Sequence, residues 1–109
     1  MALYLLAAKY TAEGTKGLLK EGGSKRKATV QKIVEDAGGR VQAFYYALGP
    51  DDVYVIAEMP DQTTAMALSL AVNASGAVQL RTTVLVTPEE IDAAARKSIA
   101  YRAPGASKR

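Results

Sequence analysis

A chain of 109 residues, 49% hydrophobic and 23% charged, has the proportions of one globular domain rather than of a disordered segment or a coiled coil. It contains no cysteine and no histidine, which excludes a disulfide framework, a thiolate nucleophile, Cys-based metal sites and the commonest general base. The net charge of +3 comes mainly from lysines and arginines between Lys16 and Lys32 and between Arg96 and Arg109, a pattern that reads as a solvated helix face and a soluble tail.

The N-terminal run Met1–Ala8 is apolar, but it lacks a basic leader and Lys9 interrupts it, so it reads as a strand. No run approaches the roughly 20 apolar residues of a membrane span, and a cytoplasmic protein is expected. Leu3–Tyr10 is apolar on both alternating faces, as in a strand covered on both sides. Between Glu13 and Ala37 the pattern predicts one broken helix or two short ones. Gly14 and Gly17 weaken the first part. Ser24 is the expected cap of the second, whose Val30, Ile33, Val34 and Ala37 follow helical spacing. Gly38-Gly39 stops it.

Two strands, Arg40–Leu48 and Val53–Met59, then flank a four-residue turn, Gly49-Pro50-Asp51-Asp52, as a β-hairpin. With Leu48 opposite Val53, one face carries Phe44, Tyr46, Leu48, Val53, Val55 and Ala57. The other carries Ala43, Tyr45, Ala47, Tyr54, Ile56 and Glu58. Asp61 is placed to cap a helix from Gln62 to about Asn73. That helix is apolar nearly all round, which predicts more than one neighbour. Ser75-Gly76 leads to a last strand, Ala77–Val86. Thr87-Pro88-Glu89-Glu90 then has the form of a capping box with proline at the first helical position. This final helix is expected to turn Ile91, Ala94, Ala95 and Ile99 inward, ending a domain of residues 1–100 before the tail 101–109.

The order β-α-β-β-α-β plus a C-terminal helix predicts an α+β fold: a ferredoxin-like α/β plait with a four-stranded antiparallel sheet. Both crossover helices cover one sheet face, and the apolar other face then calls for a partner, a homodimer or higher homo-oligomer. Tyr45, Tyr54, Glu58 and Arg81 are the candidate ligand-pocket residues, because charges on an apolar sheet face must be paired or lie at an edge. In an enzyme Glu58 would be the base, Arg81 the anion stabiliser and a tyrosine the hydrogen-bond donor; otherwise the charges are structural pairs. No catalytic role is assigned.

No motif indicates a metal or cofactor. Asp51 and Asp52 are expected to bond their own turn rather than magnesium. Gly22-Gly23-Ser24-Lys25 follows no strand and lacks phosphate-loop spacing. The plait also hosts RNA binders, but beside Tyr4 and Tyr54 the basic-glycine-aromatic signature is missing, so no nucleic-acid partner is expected.

Several segments together resemble the GYD domain family over essentially the whole chain: Tyr10-Thr-Ala-Glu-Gly14, Gly38-Gly39, Phe44-Tyr45-Tyr46-Ala-Leu-Gly49, Asp52-Val53-Tyr54-Val55-Ile56, Met59-Pro60-Asp61 and Leu85-Val86-Thr87-Pro88-Glu89. Gly49 and Asp52 stand at the ends of the family's glycine-tyrosine-aspartate turn, with Asp51 where its tyrosine is expected. The resemblance implies a dimeric α–β barrel and says little about chemistry.

Overall fold

In the computed structural model, which describes residues 1–106, Ala2–Tyr10 forms strand β1 at the centre of the sheet. It is followed by α1 (Ala12–Glu21), α2 (Gly23–Asp36), β2 (Arg40–Tyr46), β3 (Val53–Met59), α3 (Gln62–Ala74), β4 (Val78–Leu85) and α4 (Pro88–Ala95). The four strands lie in the order β2-β3-β1-β4 with every pair antiparallel. This is the expected plait with an added C-terminal helix. Among the described residues no helix is long and apolar enough to cross a membrane.

One sheet face carries the core. Tyr4, Leu6 and Ala8 of β1 align with Ala57, Val55 and Val53 of β3, and Phe44 of β2 extends the same surface. Val34 of α2 and Ala65 of α3 seal it from the helix side. Val34 and Met59 are almost fully enclosed, and each contributes roughly 1.5–3 kcal/mol by leaving water. Hydroxyls bridge the layers at two places: Ser69 of α3 with Thr82 of β4, and Tyr46, which donates to the Gly23 carbonyl at 3.0 Å. Tyr46 also meets Phe44 edge-to-face at 5.3 Å. Burial pushes the Tyr46 phenol above its ordinary value.

Three local expectations need correction. The helix break is Gly22, at φ 88°, whose N–H closes on the Leu18 carbonyl; no side chain caps α2, so Ser24 is not its cap. Left-handed geometry at that corner explains why glycine rather than serine makes it. The hairpin closes two residues earlier than expected, with Tyr46 rather than Leu48 opposite Val53. A shift of two preserves both faces for the residues that remain in the strands, whereas Ala47 and Leu48 fall outside β2 and Leu48 is fully exposed rather than on the core face. The third correction concerns α4. Its capping box at Thr87 and Glu90 forms as expected, yet Ile91, Ala94, Ala95 and Ile99 do not point inward, and every residue from Pro88 to Ala106 is exposed.

Candidate functional site

Among the described residues no helix lies over the second sheet face. Leu3, Leu5 and Ala7 run along its centre on β1, with Ile56 and Tyr54 beside them on β3 and Leu85, Thr83 and Arg81 on the other side. Tyr45 pairs with Tyr54 and stands largely in solvent. The centre is apolar, and its two ends are polar.

At one end, the six-residue connection between β2 and β3 folds onto the end of β1. Asp52 donates its N–H to the Ala8 carbonyl at 2.8 Å, while its carboxylate accepts the Tyr10 N–H at 2.8 Å. This seating carries Asp51 inward until it is only 6% exposed. Its Oδ2 accepts from the Tyr54 hydroxyl at 3.3 Å and from the Arg81 guanidinium. The sheet register explains the meeting, since Tyr54 and Arg81 are the two cross-strand partners of Ala7. A side chain as small as alanine between them leaves room for the bridge. Thus Asp51 and Asp52 bond across to β1, β3 and β4, rather than only to their own turn as expected.

Glu58 lies at the opposite end. It faces Arg40 across β2–β3, and a bulge at Gln42 brings a second donor to the same carboxylate oxygen, at 2.7 Å from the Gln42 amide. The Arg40 hydrogen bond, then that from Gln42, holds the Glu58 carboxyl below its usual value. A carboxylate so stabilised is a weaker proton acceptor than an ordinary one, which weighs against a general base. Glu58 and Arg81 sit four residues apart along the strands and on opposite flanks of β1, on the order of 15 Å from each other. The structure therefore brings together Tyr54, Arg81 and Asp51, with Tyr45 adjacent, and leaves Glu58 in a separate clamp with Arg40 and Gln42.

Asp51 is the member that sequence reasoning missed. Its position in a turn disguised it, and the departure from the family's turn tyrosine was the one signal that singled it out. An open depression of about 320 Å³ borders this cluster, lined by Lys9, Pro50, Asp51, Gln79 and Arg81 among others. A larger hollow, about 520 Å³, lies on the helix side between α1 and the start of β4, with walls of mixed charge from Glu13, Lys20, Glu21, Lys25 and Arg26. Among the described residues no group of three or more acidic side chains is placed to hold a metal ion.

The family model described as the GYD domain matches residues 4–95, from within β1 to the end of α4. No curated protein and no solved structure matches the chain.

Proposed function

Since the chain belongs to the GYD domain family, we propose that it works as a homo-oligomer whose open sheet faces pack together and enclose a small organic ligand beside Tyr54, Arg81 and Asp51. The observation that carries this reading is the apolar centre of the open face, Leu3, Leu5, Ala7, Ile56 and Leu85, ending in a bridged tyrosine–aspartate–arginine group. A half-buried apolar strip of this length on an antiparallel sheet is costly in water and is relieved by a second sheet. Convergent polar groups at one end of an apolar wall are the usual makeup of a small-molecule site. Arg81, with its side chain 70% exposed, keeps donors free for an anionic or carbonyl group.

The test combines light scattering after size exclusion with native mass spectrometry. The wild-type chain is expected to run as an oligomer, and Leu5→Lys to lose the sheet contact while keeping its circular dichroism. A monodisperse wild-type monomer at micromolar concentration would sink the reading. A retained small molecule that is lost in Arg81→Ala supports the ligand part separately.

A further inference from the structure

Among the described residues the C-terminal arm is a helix with nothing of its own chain to lie on. α4 is only eight residues long, and helices of that length are marginal in water without packing, whatever their caps. Yet it buries no residue, and Ile91 is 57% exposed, Ile99 78%. The arm also stretches the molecule. The radius of gyration is 18.0 Å and the extents are 63 × 30 × 24 Å, where a compact chain of this length has a radius near 13 Å. A well-capped helix held away from its own body lacks the packing that a helix of this length needs.

The same chain carries a surface that fits it. α3 turns Ala65, Leu68, Ser69 and Val72 toward the sheet, which leaves Met66, Ala67, Leu70, Ala71 and Ala74 as an outer stripe. Met66 is 53% and Leu70 69% exposed, and no charged residue interrupts the helix from Gln62 to Ala74. The arm offers Ile91, Ala94 and Ala95 at helical spacing on α4, with Ile99 and Tyr101 beyond. Two stripes that mix alanine with a few large aliphatic side chains approach closely and interlock as ridges and grooves. Charge agrees with this. The arm's Glu89, Glu90, Asp92, Arg96 and Lys97 can all stay in solvent, because α3 presents no charge to meet or to bury.

We infer that the arm from Pro88 to Tyr101 docks in trans on the outer stripe of α3 in a second copy of this chain, and that copy returns its own arm in the same way. Exchange of this kind is isologous and closes on itself. It engages roughly 20 residues per side, counting the arm and the receiving stripe, which is the size of a standard stable interface. The contact uses the layer opposite to the open sheet face and does not depend on the sheet pairing proposed above.

The absence of cysteine makes the test direct. Met66→Cys or Leu70→Cys is mixed with Ile91→Cys or Ile99→Cys by joint unfolding and refolding, and the pairs are oxidised mildly at micromolar concentration. All four sites are exposed, so folding is preserved. At least one α3–arm pair is expected to form covalent dimers ten-fold or more faster than the same arm variant paired with Leu48→Cys, an exposed control on the β2–β3 connection. The preference should persist in a Leu5→Lys background, where sheet pairing is removed. The inference is overturned if no α3–arm pair exceeds the control. It is equally overturned if doubly substituted chains give only intramolecular disulfides, or if the arm cysteines link instead to Ile56→Cys on the open sheet.

Discussion

Asp51 does at the residue scale what a turn residue rarely does: one carboxylate oxygen ties the β2–β3 connection to β3 through Tyr54 and to β4 through Arg81. Replacing it with alanine removes both bonds. Water re-solvates much of what is left, since Tyr54 and Arg81 are partly exposed, so the loss falls below the roughly 1.5–3 kcal/mol usual for hydrogen bonds to charged groups, at about 1 kcal/mol. Asp51→Asn keeps an acceptor and should lose less. Urea midpoints of the two variants check the order. Glu58 supplies a pH test. Its folded pKa is lowered by Arg40 and Gln42, so its contribution is present above the unfolded carboxylate value and is lost as pH falls through the folded one. The midpoint difference between wild type and Glu58→Gln should therefore be steady above about pH 5 and close below about pH 4. A difference that grows on acidification would show that the clamp does not form.

At the element scale, two glycines of α1 separate packing from propensity. A Cβ on Gly14 would run into the Ala77 carbonyl, while one on Gly17 meets open space. Gly14→Ala is thus expected to destabilise by about 1–3 kcal/mol through overpacking, and Gly17→Ala to stabilise by roughly 0.5–1 kcal/mol through backbone entropy. Thermal unfolding of both variants decides it, and equal shifts of one sign would refute the assignment. The sequence could show only that both glycines weaken a helix. What it did show clearly were features set within a few residues: the alternation of β1, the Asp61 cap, which accepts the Thr64 N–H at 2.7 Å, and the capping box of α4. Features set by distant contacts were hidden. The Gln42 bulge lets Val41 and Ala43 pair with the adjacent residues Ala57 and Ile56 of β3, and no local pattern marks it. Beyond the Tyr46–Val53 pair the Ala47 N–H donates to the Asp52 carbonyl while Asp52 is itself bonded to β1, a seating that the turn residues alone do not reveal. The candidate site was half legible for the same reason. Tyr54 and Arg81 stood out as polar groups on apolar strands, but their meeting point, Asp51, is defined only by two strand registers at once.

At the scale of the whole molecule, the open sheet face and the outer stripe of α3 are both uncovered among the described residues of the folded body, and they lie on opposite layers. A chain that pairs through both builds a closed assembly with two kinds of two-fold contact, for which a tetramer is the smallest arrangement if the two contacts join different copies. The two contacts should then come apart one at a time. Ending the chain after Thr87 removes the arm but none of the buried core, so the sheet fold is expected to survive while the assembly falls to the unit held by sheet pairing. Leu5→Lys should do the converse and leave the unit held by arms. Combining both changes should yield monomers. Light scattering measures each mass directly. If the truncated chain keeps the full wild-type mass, the arm holds nothing together; if the double variant still associates at micromolar concentration, a surface other than these two is the principal one.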